Sequence, residues 1–163
     1  MLNSSILAAL LLLGAPSPIP YESYQTVGTA NYWLGPFKLY RATLMATHTP
    51  FDASAPFALK LEYTRSIPAS KIANASIVEM ARLSNQAEDT YEYLREDLEG
   101  CFGDVSKGDE IIGFKRNENI TEFSLNGALR CTIEEPEFST HFFAIWLSPD
   151  SRYPKKTKDL TGR

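Results

Sequence analysis

The chain alternates apolar and polar positions over residues 57–63, as a β-strand does when one of its faces is buried. Successive side chains of a strand point to opposite faces, so a period of two predicts one buried face and one solvated face. The inner face of this strand is predicted to carry Phe57, Leu59, Leu61 and Tyr63.

A second strand is predicted over residues 37–45, but its apolar row contains a cation. The positions of one parity are Phe37, Leu39, Thr43 and Met45. Arg41 has the same parity, so its guanidinium is expected on that apolar face. An arginine there must reach solvent, meet a carboxylate of the protein or bind an anionic ligand.

Two amphipathic helices are predicted after these strands. Apolar residues recur at helical spacing over residues 70–83, and Ser70 is the expected N-cap. The next helix is expected to begin at about Glu88 and to end before Gly100, which stands where a C′ residue belongs. Its apolar stripe is predicted to consist of Tyr91, Leu94 and Leu98.

The last third of the chain predicts an antiparallel meander and an aromatic helix. Asn126-Gly127 is a strong two-residue hairpin signal, because both turn positions need a positive φ. The strands are predicted over residues 111–115, 121–125 and 128–133. The helix is expected to begin at Pro136. Its buried stripe is predicted to be Phe138, Phe142, Ile145 and Trp146, and Trp33 is also expected in the core.

The two ends of the chain differ from its centre. Residues 1–20 carry no Asp, Glu, Lys or Arg, and their apolar run rises only about 12 Å as a helix, which is too short to span a bilayer. The pattern predicts a secretory signal peptide and an exported, periplasmic protein, with an uncleaved apolar arm as the alternative. Residues 151–163 form a basic tail, interpreted as frayed and solvated rather than as a patch for membranes or partners.

Composition and charge narrow the classes of partner and cofactor. The 163 residues are 44% hydrophobic and 22% charged with a formal net charge of −4, which favours one globular domain over residues 21–150 and no nucleic-acid partner. Two cysteines, Cys101 and Cys131, could close a disulfide in an oxidising compartment. Without metal-ligand spacing, no metal and no cofactor are expected. The oligomeric state is left open.

The order of elements argues for an α+β fold, with helices on one face of a largely antiparallel sheet. Several ordered segments resemble the bacterial chalcone isomerase-like family, over roughly residues 27–150. They are residues 33–45, 56–67, 107–109, 123–127 and 135–147. The resemblance implies the open-faced β-sandwich of chalcone isomerases, a large antiparallel sheet with helices packed over one face.

The resemblance also implies where chemistry would lie. In plant chalcone isomerases an Arg holds a phenolate, and Tyr, Thr and Asn groups polarise a ketone. The matching positions here fall near residues 29–31, where no basic residue stands, and at Arg41, Ile72 and Glu79. Other members of the superfamily bind fatty acids without catalysis. We therefore expect a noncatalytic envelope protein that binds a fatty acid or another apolar carboxylate.

Two alternatives stay open at this stage. One is an isomerase of chalcone-like enones, an intramolecular lyase, and the other is a structural or partner-binding envelope protein. For the binding hypothesis, Arg41 is the candidate anchor of the ligand, and Tyr40, Thr43 and Tyr63 are the other candidate ligand-binding residues. No catalytic residue is assigned, and His141 is interpreted as structural or surface-exposed rather than as a general base.

Overall fold

The computed structural model describes residues 23–163 of the chain, and its centre is a six-stranded antiparallel sheet. Each strand pairs with the next one along the chain. The strands are β1 Gln25–Leu34, β2 Phe37–Ala46, β3 Phe57–Tyr63, β4 Glu110–Lys115, β5 Ile120–Leu125 and β6 Ala128–Glu134. The predicted signal peptide, residues 1–20, lies outside the described residues.

Helices cover the inner face of this sheet, and the main apolar core lies between the two layers. The α-helices are α1 Ala69–Leu83, α2 Arg95–Phe102, α3 Phe138–Leu147 and α4 Pro154–Thr161, and a 3₁₀ helix spans Glu88–Leu94. None of the helices among residues 23–163 has the length and apolar character that a bilayer crossing requires. The predicted α+β fold, an open-faced sheet with helices on one face, is confirmed.

A disulfide joins the helical layer to the last strand of the sheet. Cys101 in α2 is bonded to Cys131 in β6, with their Cα atoms 5.3 Å apart. The bond closes a loop that contains the two hairpins of the meander. It therefore anchors α2 to the edge strand, where no further strand follows to hold the edge.

Strand β1 was not predicted, because its sequence contains few large apolar residues. A tight turn at Gly35, whose φ is +56°, joins it to β2 and places Leu34 opposite Phe37. Register irregularities interrupt the β1–β2 pairing at two places. The expectation that Trp33 lies in the core is wrong, because it lies near the tip of this hairpin and is exposed, whereas Trp146 is buried as expected.

The row of larger apolar residues in β2 suggests that their face of the strand is buried in the core, but the structure buries the other face. Ala42, Leu44 and Ala46 belong to the main core, whereas Met45 packs on the outer face of the sheet. The prediction was wrong for residues 41–45, because alanines on the inner face give a weaker apolar signal than the side chains of the outer row. Leu39 stands at a register irregularity and lines the cavity on the inner side. Arg41 follows the outer row and is exposed. The inner face predicted for β3 is confirmed.

Several predicted helix ends are displaced. Helix α1 begins at Ala69 with Pro68 as its N-cap rather than Ser70, and the Asp104 carboxylate accepts the Ala69 N–H at 2.8 Å. Helix α2 continues past Gly100 to Gly103, whose φ is +65°. Helix α3 begins at Phe138 and not at Pro136, because the intervening Glu137 adopts a left-handed conformation. The predicted stripes of these helices are buried, except for the partly buried Ile145.

The basic tail is part of the fold, so the interpretation as a frayed segment is wrong. Within α4, Thr157, Leu160 and Thr161 are buried, which is a short helical stripe that weak apolar content concealed. The helix packs on the backbone of β1. A Cβ on Gly28 would lie 2.1 Å from the Asp159 carbonyl oxygen, so this contact requires glycine. The domain therefore extends beyond residue 150.

Candidate functional site

A cavity of about 540 Å³ lies between the inner face of the sheet and helices α1 and α3. Its floor is formed by residues from β1 to β5, and its wall by the first three turns of α1 and by α3. Most of the lining is apolar. The apolar lining side chains include Leu39, Leu59, Leu61, Ile67, Ile72, Ile111, Phe123, Phe142, Phe143 and Ile145.

Four tyrosines form one side of the cavity. The rings of Tyr32 and Tyr40 stack with centroids 4.9 Å apart, Tyr63 lies 5.6 Å from Tyr40, and the Tyr153 ring meets Tyr32 edge-on at 5.7 Å. The Trp146 indole N–H donates to the Tyr40 hydroxyl at 3.1 Å. This cluster brings polar hydroxyl groups to an otherwise apolar space.

Three hydroxyls of this cluster, on Tyr32, Tyr40 and Tyr63, are held in the neutral form. Burial raises the pKa of Tyr32, Tyr40 and Tyr63 well above the usual value, because the phenolate would lose its hydration. Among residues 23–163, the Tyr32 and Tyr63 hydroxyls have no hydrogen-bond partner. Both hydroxyl oxygens reach open space, because Ser124 Oγ is the one fully buried side-chain polar atom without a partner among residues 23–163. These two donors are therefore suited to a polar head group.

Cations stand at the mouth of the cavity. The Arg65 guanidinium lies 4.5 Å from the centroid of the Phe37 ring, and Lys71 projects from the first turns of α1. In the part of the chain that the structure describes, Lys71 makes no ion pair. Arg152 instead bonds to Glu79, whose other oxygen accepts from Arg82 at 2.9 Å. Arg65 and Lys71 therefore remain available to an anion.

Comparison with known protein families shows to which family this chain belongs. The model of the family described as chalcone isomerase-like matches residues 34–158, which is most of the chain and reaches into α4. The chain belongs to the chalcone isomerase-like family.

One known protein is similar to this chalcone isomerase-like protein in sequence, and another is similar in fold. An uncharacterized protein of Haemophilus influenzae is 29% identical over 148 residues, which cover 90% of this chain and 72% of the relative. The crystal structure of a fatty-acid binding protein of Arabidopsis thaliana matches with a TM-score of 0.66 and 11% identity. That match covers 90% of this chain and 91% of the other, and it shows that the fold is shared.

The structure brings together two of the four predicted ligand-binding residues. Tyr40 and Tyr63 are register partners on β2 and β3, and both line the cavity. Thr43 is buried but does not belong to the lining. Arg41 is exposed on the outer face, with Glu62 as its register partner on β3, and it does not reach the cavity. The parity argument placed it on an apolar face, but that face is the outer one.

Two of the four positions that the resemblance matches to polar residues of chalcone isomerases lie at the cavity. Ile72 and Glu79, matched to the family's Tyr and Asn, both line it. His141 lies elsewhere, with its Nδ1 2.8 Å from the Tyr91 hydroxyl, which donates to Ser84 at 3.1 Å. It is held between two helices as a structural histidine. Within residues 23–163, no group of three or more His, Cys, Asp or Glu is arranged to hold a metal ion.

Sequence reasoning missed the cations and two of the four tyrosines at the cavity, Tyr32 and Tyr153. Arg65 follows β3 directly, Lys71 lies in the first turns of α1, and Tyr32 belongs to the unpredicted strand β1. One signal was available, because Lys71, Ile72, Ala75 and Glu79 recur at helical spacing and all line the cavity. That face of α1 is the cavity wall.

Proposed function

We propose that this chalcone isomerase-like protein is a noncatalytic binding protein for a fatty acid or another apolar carboxylate. The observation that carries the proposal is the apolar cavity of about 540 Å³ between the sheet and the helices. Its volume lies within the range of about 300–1,000 Å³ that is usual for small-molecule sites. An apolar tail in this space would be shielded from water by leucine, isoleucine and phenylalanine side chains.

The polar groups of the site suit a carboxylate head. The Tyr32 and Tyr63 hydroxyls can donate, and Arg65 and Lys71 at the mouth can neutralise a negative charge. Arg152 is less available, because Glu79 already holds it. The anchor that we propose is therefore the pair Arg65 and Lys71, in place of Arg41, which is exposed on the outer face.

The residues at the cavity argue against catalysis of the chalcone isomerase type. Residues 29–31 contain no basic side chain, so no guanidinium is available there to hold a phenolate. An apolar side chain, Ile72, and a carboxylate, Glu79, stand at the positions matched to the family's Tyr and Asn. A carboxylate opposes the negative charge that develops in that reaction. Fatty-acid binding in the Arabidopsis protein supports the same ligand class.

We further propose that the protein works outside the cytoplasm, in the periplasm. The Cys101–Cys131 disulfide supports this, because such bonds persist in oxidising compartments. The apolar, uncharged start of the sequence supports it as well. N-terminal sequencing of the protein from fractionated cells tests it, and a reduced protein that keeps residues 1–20 in the cytoplasm would contradict it.

A fluorescence titration tests the binding proposal. The sequence has two tryptophans, and in a Trp33→Phe background only Trp146 at the cavity reports. Saturated fatty acids of increasing length are expected to change this fluorescence saturably. Ser76→Phe, which projects a ring from α1 into the cavity, is expected to weaken binding at least about tenfold, because it fills the space of the tail.

Ser70→Phe is the matched control, because Ser70 lies in the same helix, is exposed and does not line the cavity. It is expected to bind like the parent. Equal affinity in Ser76→Phe and the parent, or no saturable signal with any fatty acid, would overturn the binding proposal. A protein-dependent acceleration of chalcone cyclisation would overturn its noncatalytic part.

A further inference from the structure

The tip of the β1–β2 hairpin exposes three large apolar side chains. Trp33 is 47% exposed, Leu34 67% and Phe37 53%, which makes them three of the five large hydrophobic residues that are markedly exposed within residues 23–163. We name these three residues the hairpin tip. Leu34 and Phe37 share one face of the hairpin and Trp33 lies on the other, so the end of the hairpin is apolar on both faces, and grouped apolar residues of this kind mark an interaction site more often than scattered ones do.

The hairpin tip is held in a defined position by the fold. Leu34 and Phe37 are register partners, Trp33 pairs with Lys38, and the turn is closed at Gly35 with a φ of +56°. The Arg65 guanidinium lies over the Phe37 ring at 4.5 Å. The apolar side chains are therefore presented outward on a paired hairpin rather than on an irregular loop.

The hairpin tip borders the mouth of the cavity. Leu34 belongs to the cavity lining and is exposed at the same time. Tyr153, another of the five exposed residues, also lines the cavity and contacts Tyr32 of β1. An apolar molecule that enters or leaves between these residues passes directly along the hairpin tip.

Cations surround the hairpin tip, although the protein as a whole carries a net charge of −4. Lys38 and Arg41 follow it on β2, and Arg65 and Lys71 lie at the cavity mouth. Lys156 of α4 also reaches β1, where its ammonium group lies 5.5 Å from the Tyr32 ring centroid. Of the nearby acidic groups, Glu79 pairs with two arginines and Glu62 lies 3.9 Å from Lys60, whereas Asp159 near Tyr32 makes no ion pair within residues 23–163.

We propose that the hairpin tip docks into the surface of an anionic phospholipid bilayer. Trp33, Leu34 and Phe37 enter the interface between head groups and acyl chains, and Lys38, Arg65 and Lys71 contact the phosphates. Tryptophan favours this interface, and basic side chains are attracted by its negative potential. The cavity mouth then faces the lipid, so its apolar cargo exchanges with the bilayer. The cargo exchange rests on the proposed function, whereas the docking does not.

Co-sedimentation with vesicles tests the docking, using protein expressed from the full 163-residue sequence. The vesicles consist of phosphatidylcholine alone or with about one-third phosphatidylglycerol as the anionic lipid. Binding is expected with the anionic vesicles, and it is expected to fall when salt rises from about 0.05 M to about 0.5 M, because charge attraction is screened. The variant Trp33→Ser, Leu34→Ser, Phe37→Ser is expected to lower binding about tenfold or more. The control Tyr93→Ser, on a 64% exposed residue remote from the mouth, is expected to bind like the parent.

Three results would overturn the docking proposal. They are vesicle binding that the hairpin-tip variant retains, an absence of binding to either vesicle, and self-association of the parent through the same residues in sedimentation velocity. Retained binding would point to the N-terminal residues as the membrane contact. Fatty-acid binding, the proposed function, is measured separately by the fluorescence titration in the absence of vesicles. Because Leu34 lines the cavity, that titration uses the single variant Trp33→Ser, which leaves the lining and Trp146 unchanged, and its fatty-acid affinity in solution is expected to match that of the parent within about twofold.

Discussion

The two halves of the sheet's inner face are built differently. Over β4 to β6, the rings of Phe102, Phe123, Phe138 and Phe142 pack edge to face or stacked, at centroid distances of 5.2–6.3 Å. Most of the strand residues that line the cavity of about 540 Å³ lie on β1 to β3, where tyrosines and leucines face it, and Phe102, Phe123 and Phe142 bound it on the side of the phenylalanine cluster. One half is filled by its own side chains, and the other has room for a ligand.

The difference between these halves lies in the polar atoms as well as in the volume. Phenylalanine side chains have no polar atoms and pack against one another, so the filled half needs no ligand and no hydrogen-bond partner for these rings. Tyrosine hydroxyls in the open half need hydrogen-bond partners, and two of them have none among residues 23–163. A ligand with a polar head and an apolar tail would complete both requirements. The filled half supplies stability, and the open half supplies binding.

The largest expected effect is on the filled half. Phe138→Ala is expected to lower the free energy of unfolding by about 3–5 kcal/mol, because it removes a buried ring and leaves a cavity. Phe37→Ala at the exposed hairpin tip is the matched control, with an expected change below about 0.5 kcal/mol. Urea unfolding followed by tryptophan fluorescence measures both. Equal losses in the two variants would remove the distinction between filled and exposed regions.

The disulfide joins α2 to β6, and both elements belong to the filled half. Replacing both Cys101 and Cys131 with serine is expected to lower the free energy of unfolding by about 3 kcal/mol, since the unfolded chain regains the freedom of a long loop. Fatty-acid affinity of the folded protein is expected to stay within about twofold. A large loss of affinity at unchanged stability would mean that the bond shapes the cavity instead.

Unfolding at alkaline pH distinguishes the two halves, because buried tyrosine hydroxyls lie in the open half. Burial raises the pKa of Tyr63 above its usual value of about 10, so at higher pH the unfolded chain releases a proton that the folded protein keeps. The free energy of unfolding is therefore expected to fall as pH rises above about 10, and Tyr63→Phe is expected to reduce that slope by about 1.4 kcal/mol per pH unit. Urea unfolding between neutral and alkaline pH measures it. An unchanged slope would contradict the burial of a neutral phenol.

The smallest expected effect concerns the hydrogen bond inside the open half. Tyr40→Phe removes the acceptor of the Trp146 indole N–H and is expected to lower the free energy of unfolding by about 1 kcal/mol at neutral pH. Tyr63→Phe removes no protein hydrogen bond within residues 23–163 and is expected to change stability by less than about 0.5 kcal/mol. The reverse order of the two losses would show that the hydroxyls are partnered differently.

Much of the sheet could be predicted, because its strands have local signals. The period of two in β3 and the Asn126-Gly127 turn placed their strands correctly. Strand β1 lacked such a signal, since its large apolar residues Tyr32, Trp33 and Leu34 are consecutive and do not alternate with polar ones. The face of β2 was predicted wrongly because Ala42 and Ala46 on the inner side are less apolar than the outer row.

The candidate site could be predicted only in part, because it is assembled from distant segments. Tyr40 and Tyr63 were predicted, because each lies in a strand that its own local sequence pattern indicates. The anchor cations were not, because Arg65 and Lys71 meet the cavity only through the packing of α1 over the sheet. Residues 154–161 form a docked helix whose stripe rests on a single leucine and two threonines, and such a weak pattern predicts no helix.

Native mass spectrometry tests the central claim, that the open half of the core holds an apolar carboxylate. The protein is purified gently from its cells, beside Ser76→Phe and the control Ser70→Phe. We predict a reproducible added mass of a fatty acid on the parent and on Ser70→Phe, and its loss in Ser76→Phe. A bare polypeptide mass in all three, which persists after incubation with fatty acids, would contradict the claim.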